Sequence, residues 1–166
     1  RIAVMRGDHA RAAALFQHAC DLAPENVCYR EALARARFHA GQYEAALQTL
    51  RRLVRDTGEA PTGWMQAMMG DCYMAIERPR DARDCYYEAS EQLPDSAGIR
   101  ANLGKAALAL NDMPRAVLSA RAALRLDRRC LDALQVLGYA LLRDGQLTTA
   151  LGVLRQAVCW YPDNAT

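Results

Sequence analysis

Residues 131–163 read LDALQVLGYALLRDGQLTTALGVLRQAVCWYPD, and the stretch falls into two helical halves. Leu134, Leu137, Gly138 and Leu141 stand at i, i+3, i+4 and i+7, which is one apolar face of a helix. Asp144-Gly145-Gln146 then breaks the pattern with stop-and-turn residues. Ala150, Leu154 and Ala157 form a second helical stripe, ended by Tyr161-Pro162-Asp163. Gly138 and Ala150 are small, so two backbones can come close where they meet. Leu137 and Leu154 are large and fill the space between those contacts. The stretch predicts an antiparallel helix–turn–helix hairpin.

The same hairpin recurs upstream. Gly70, Gly104 and Gly138 are spaced by 34 residues, as are Ala82, Ala116 and Ala150, and Ala89, Ala123 and Ala157. Pro94 and Pro162 lie two periods apart, with Arg128 between them. A fixed period of this length marks a solenoid of helical repeats. Ala46, Leu50 and Leu53 continue the columns in an earlier copy, and Ala12, Phe16, Ala19 and Pro24 in one before that. The step from Ala46 to Ala82 is 36, so two residues are inserted, and DTGEAPT at 56–62 carries the turn residues that would hold them. Leu53 stands in a column of small residues, which predicts looser packing of its helix. Arg78-Pro79 and Asn111-Asp112 match Asp144-Gly145 as turns, and Pro114 falls in a first helical turn, where its missing N–H is harmless.

These columns resemble the tetratricopeptide repeat family. Its 34-residue unit runs large residue, Leu-Gly, bulky residue, Ala, aromatic, Ala, Pro. Gly70, Tyr73, Ala82, Tyr86, Ala89 and Pro94 follow that pattern, as do Leu137, Gly138, Ala150, Ala157 and Pro162. Arg30 and Arg100 depart from it at the large apolar position, Ala34 at the glycine and Arg128 at the proline. The resemblance implies an all-α fold: a right-handed α-solenoid of tandem antiparallel helix–turn–helix repeats, about five copies with the first truncated. The copies are expected at 1–26 (partial), 27–62, 63–96, 97–130 and 131–166, in a single array. Arg1 to Arg6 are expected to be the tail of a first helix, and a separate helix is expected from about His9 to Leu22. Val153, Val158 and Trp160 are expected to be partly exposed. With no polar capping helix after Thr166, the chain reads as a segment of a longer protein or one whose ends another chain covers.

Composition agrees with such a fold. Apolar residues make up 52% of the 166 and charged residues 24%, enough to bury a core and unlike a disordered chain. The net charge of +2 is too even for bulk attraction to nucleic acid. The basic stretch from Arg121 to Arg129 reads as a solvated helix face. No apolar run approaches the ~20 residues that span a bilayer. Six cysteines (Cys20, Cys28, Cys72, Cys85, Cys130 and Cys159) show no metal-ligand spacing. They read as reduced, mostly buried packing residues of a cytoplasmic protein, and the alanine and arginine usage suggests a bacterial one.

In this family the first helix of each pair lines a concave groove, so the resemblance implies a protein-binding scaffold that takes a peptide or helix. Counting from the glycine column gives the lining: Cys28, Glu31, Ala32 and Arg35; Trp64, Ala67, Met68 and Asp71; Gly98, Ala101, Asn102 and Lys105; Asp132, Gln135, Val136 and Tyr139. Trp64, Met68, Val136 and Tyr139 are candidate anchors. Asn102 can offer a peptide backbone both a donor and an acceptor. Trp64 and Met68 have a plainer reading too, as packing against the inserted loop. The cations of a chaperone-tail clamp are missing beside Asn102, and so is an asparagine ladder. Secretion chaperones of the type III class share the repeat but use three copies, so they remain an alternative. A regulatory or assembly region of a larger protein is another, and self-association through uncapped ends a third. No catalytic constellation, cofactor or metal site is expected. His18 and Cys20 point apart at i, i+2, and Asp81 and Asp84 read as surface charges.

Overall fold

The structure, a computed structural model, describes residues 2–161, with side chains from residue 8 onward. Among the described residues there are nine helices and no strand: α1 (Ile2–Leu22), α2 (Val27–His39), α3 (Tyr43–Thr57), α4 (Gly63–Ala75), α5 (Pro79–Gln92), α6 (Ala97–Ala109), α7 (Met113–Leu126), α8 (Leu131–Arg143) and α9 (Leu147–Trp160). They form two compact units, Arg1–Glu77 with α1 to α4 and Arg78–Thr166 with α5 to α9. The division falls between α4 and α5, within the stretch 63–96. In the first unit α1 packs on α2, α2 on α3 and α3 on α4. In the second, α5 packs on α6, α6 on α7, α7 on α8 and α8 on α9, and α6 also touches α8.

Local chemistry sets the helix ends. Asn26, Ser96 and Asp112 cap α2, α6 and α7 by accepting from the backbone N–H of Tyr29, Ile99 and Arg115. Pro79 and Pro114 occupy first turns. Where Arg128 replaces the proline column, Asp127 holds the turn by accepting from the N–H of Arg129 at 2.9 Å. The two inserted residues are also visible. Helix α3 has 15 residues against 14 in α5 and α7, and the loop after it, 58–62, is one residue longer than 93–96.

One expectation needs correction. There is no break near Asp8: α1 is a single helix from Ile2 to Leu22, so Ile2 to Arg6 belong to the same helix as His9. A lone Gly7 costs a helix only ~1 kcal/mol, and no proline or left-handed turn accompanies it. Arg1, Pro162, Asp163 and Thr166 lie outside the described residues.

The core rests on the alanine columns. Ala46, Ala82, Ala116 and Ala150 are fully buried, as are Ala89 and Ala123. In the second unit Ala101, Ala107, Ala120, Ala133, Val136 and Leu141 join Ala116 and Ala150 in one cluster. In the first unit Leu53 shares a cluster with Ala34, Leu50 and Met65, so α3 meets α4 through large side chains. Arg30 and Arg100, unusual in their column, share one device. Each guanidinium folds back to donate to the carbonyl of the preceding turn's proline, Pro24 and Pro94, the latter at 3.1 Å.

The column glycines make different contacts. A Cβ on Gly138 would lie 2.5 Å from Leu154 Cδ2, so a leucine of α9 sits on the bare backbone of α8. A Cβ on Gly104 would lie 2.9 Å from Val136 Cγ1, a stiff, buried side chain of α8. Gly152 on α9 has nothing within 4 Å. Gly152→Ala should therefore stabilise the chain by ~1 kcal/mol through helix propensity. Gly104→Ala should destabilise it by ~1 kcal/mol, because overpacking exceeds that gain. Urea unfolding of the two variants checks this, and equal effects would refute the packing role of Gly104.

The turns after α2, α4, α6 and α8 each pass through a left-handed residue: Gly41, Glu77, Asn111 and Gly145, with φ of 79°, 57°, 59° and 77°. Glycine and asparagine tolerate this region, whereas Glu77 carries a Cβ penalty of ~1–2 kcal/mol. Glu77→Gly relieves it and loses part of the gain to a freer unfolded chain. The expected net is ~0.5–1 kcal/mol of stabilisation, read as a higher melting temperature; an unchanged or lower one would mean that Glu77 is unstrained.

Candidate functional site

Each unit carries its own part of the expected lining. In the first unit α2 and α4 present Glu31, Arg35, Trp64, Ala67, Met68 and Asp71, all at least partly exposed. Trp64 and Met68 are half-buried against the Ala34–Leu50–Leu53–Met65 cluster. Their footing includes the helical core of the unit. The Arg35 guanidinium lies over the indole of Trp64, 4.6 Å from its centroid. A cation in that place holds the ring by its quadrupole and frames it with positive charge. The result is an aromatic surface fixed on its inner side, partly open on its outer side, and flanked by Arg35.

In the second unit α6 and α8 present Gly98, Asn102, Lys105, Asp132, Gln135 and Tyr139. Lys105 and Asp132 form an ion pair at 2.8 Å that ties the two helices together. Both are exposed enough that the pair contributes little to stability, and it orients the two side chains instead. Tyr139 is 47% exposed, and its hydroxyl accepts from Arg143 at 3.0 Å. Arg143 also donates to Asn111 Oδ1 at 3.3 Å. Tyr139 is thus held by a short network, with the Arg143 guanidinium 5.8 Å from its ring centroid and about half of the residue exposed.

Two lining residues are corrected. Ala101 is fully buried and Val136 nearly so, and both belong to the core cluster of the second unit. They stand at opposite edges of the arc counted from the glycine column, where neighbouring helices cover the surface. Val136 in particular packs on Gly104. Both are covered by protein in this structure.

Sequence reasoning missed two cavities on the other side of the first helices. One, of about 470 Å³, lies in the second unit among α5, α6 and α7, with Tyr87, Leu103, Ala107 and Leu118 in its lining. The other lies in the first unit among α1, α2 and α3. The missed signal was the column Arg37, Tyr73, Ala107, Leu141, which follows the repeat steps of 36, 34 and 34 yet changes from cation to methyl.

The fold and the exposed helix faces define a helical-repeat protein that presents side chains from successive hairpins. Tetratricopeptide repeat families match residues 3–65, 68–128 and 102–165, and the chain belongs to this family. Among curated proteins none matches. Solved structures of low identity share the fold. A crystal structure of MamA has 18% identity and a TM-score of 0.83, covering 96% of this chain and 92% of that one. MamA from Desulfovibrio magneticus RS-1, residues 41 to the end, has 15% identity and a TM-score of 0.84, covering 98% and 91%. YrrB, described as a repeat protein of this family with an unusual peptide-binding site, has 19% identity and a TM-score of 0.79, covering 95% and 80%.

Metal-ligating groups do not gather in threes among the described residues, although His9 and His39 bring their rings within 5.1 Å. None of the six cysteines forms a disulfide. The expectation that they are mostly buried is corrected: only Cys72 is fully buried, Cys20, Cys85 and Cys130 are intermediate, and Cys28 and Cys159 are exposed. Their side chains fall on different helix faces, and only the inner ones pack. A disulfide-exchange reagent on the native chain should modify Cys28 and Cys159 first and Cys72 last, as read by peptide mass mapping. Early modification of Cys72 would show that the first unit opens readily.

Proposed function

We propose that this chain is a non-enzymatic protein-binding scaffold that takes a peptide or helical segment of a partner on the exposed faces of its first helices. The observation that carries the reading is Trp64, half-buried on the core of the first unit, with Arg35 over its ring and Met68 one turn away. Aromatic residues fixed in this manner are typical anchors of binding energy, because little side-chain entropy is left to lose. Met68 adds an adaptable apolar neighbour. Tyr139, Gln135 and the Lys105–Asp132 pair give the second unit a more polar face, suited to backbone and charged groups. Membership of the repeat family and the peptide-binding site named for YrrB support the general function.

A displayed peptide library selected on the chain, followed by calorimetric titration of the winners, tests the proposal. Binding should be one to one. Trp64→Ala should weaken it at least tenfold, which is ~1.4 kcal/mol. Leu118→Ala, beside the second unit's cavity, should leave it unchanged. Loss on Leu118→Ala with no effect of Trp64→Ala would move the interface to the α5–α7 side and overturn the assignment.

A further inference from the structure

The cavity of the first unit has a volume of about 180 Å³, and Cys20, Arg30, Arg37, Thr49, Arg52 and Asp56 are among its lining. It is the repeat counterpart of the cavity in the second unit. Leu33 and Leu103, Arg37 and Ala107, and Thr49 and Ser119 are pairs separated by 70 residues, two repeat steps of 36 and 34. The scaffold accepts a methyl group at Ala107 where the first unit carries a guanidinium. The fold therefore does not require a cation there.

The charges do not balance. Arg30 pairs with Asp56 at 2.7 Å and also donates to the Pro24 carbonyl. Arg37, half-buried, has only neutral acceptors: Thr49 Oγ1 at 2.5 Å, Gln17 Oε1 at 2.7 Å and the Ala45 carbonyl at 3.4 Å. Arg52 forms no ion pair with a described residue. Asp21 lies outside the lining, where it accepts from Gln17 Nε2 at 2.8 Å. Three guanidinium groups thus face one carboxylate, leaving a surplus of two positive charges. Burial, above all, pulls the Arg37 guanidinium below its ordinary range; Cys20 opposes this and repulsion from Arg52 adds to it. Burial, above all, likewise raises the Cys20 thiol. A partly buried cation without an anionic partner is costly, and an incoming anion removes that cost.

We propose that this cavity binds a doubly charged phosphoryl oxyanion, either inorganic phosphate or a phosphomonoester, between Arg37 and Arg52. A dianion neutralises both unpaired guanidinium groups, whereas a carboxylate leaves one uncompensated. The planar fork of arginine matches two oxygens of a tetrahedral anion. Thr49 and Gln17 fix the Arg37 guanidinium in advance, so only the exposed Arg52 side chain remains to be ordered on binding.

The test is calorimetric titration of the full chain with inorganic phosphate, O-phosphoserine and acetate at matched ionic strength. One phosphate should bind per chain. Arg52→Gln should weaken it at least tenfold, with an unchanged circular dichroism spectrum, because Arg52 holds nothing else in place. Arg37→Gln should abolish binding, and Arg125→Gln on α7 should have no effect. Binding of O-phosphoserine as tight as phosphate assigns the site to a phosphomonoester; weaker binding assigns it to the free anion. Acetate binding as tightly as phosphate, or an Arg52→Gln variant that binds like wild type, would overturn the proposal.

Discussion

At Ala46, Ala82, Ala116 and Ala150 the second helix of four successive copies presents a methyl group wholly removed from solvent. The close approach that this permits is the constraint on which the remaining structure depends. Helices separated by larger side chains would leave gaps, and a close-packed interior does not tolerate gaps larger than a methyl group without cost. Around the methyl contacts the larger residues interlock. Leu154 lies on Gly138 and Val136 on Gly104, so a glycine on one helix becomes the socket for a branched residue on another. The cluster of the second unit is correspondingly rich in alanine.

That dependence explains why the fold was legible. A 34-residue period of small residues is a pattern that only repeated close contacts require, and it survives in single letters. The turn residues agreed with it. Gly41, Asn111 and Gly145 occupy the left-handed positions that their chemistry favours, and Ser96 and Asp112 the caps. The miss at α1 has the same origin. The repeat register puts a hairpin turn before Ala12, yet only the lone Gly7 and no proline stands there to break the chain, so Ile2–Arg6 run on into the helix that follows. Even the odd residues were absorbed locally. Arg30 and Arg100 use their length to reach the turn carbonyls of Pro24 and Pro94, a contact that no large apolar side chain could make.

The surface was less legible, for a geometric reason. Positions three and two before the column glycine lie at about 60° and 160° around an ideal helix from it, the two edges of the exposed arc. At such edges the side chain of a neighbouring helix decides exposure. Gln135 is open where Ala101 is covered, although they share a column, and Asn102 is half open where Val136 is buried. Positions near the middle of the arc, such as Arg35 and Tyr139, stay exposed in both units, and the reading there needed no knowledge of neighbours. Trp64 belongs to both categories, since it packs on the core cluster of the first unit while Arg35 lies over its ring.

The two cavities show how one backbone frame acquires different chemistry. Along the column Arg37, Tyr73, Ala107 and Leu141 the backbone repeats while the side chain passes from cation through aromatic to methyl and isobutyl. Where the residue is Leu141 it joins the core, and where it is Ala107 a cavity of about 470 Å³ with mostly apolar walls is left. Where it is Arg37 the space shrinks to about 180 Å³ and gains a guanidinium clamped by Thr49 and Gln17. Through these changes Ala46, Ala116 and Ala150 on the second helices stay fully buried. A solenoid of this kind therefore separates the residues that set its geometry from those that set its ligands. That separation is why its fold can be read from a period, while its ligands must be read from the residues that depart from the period.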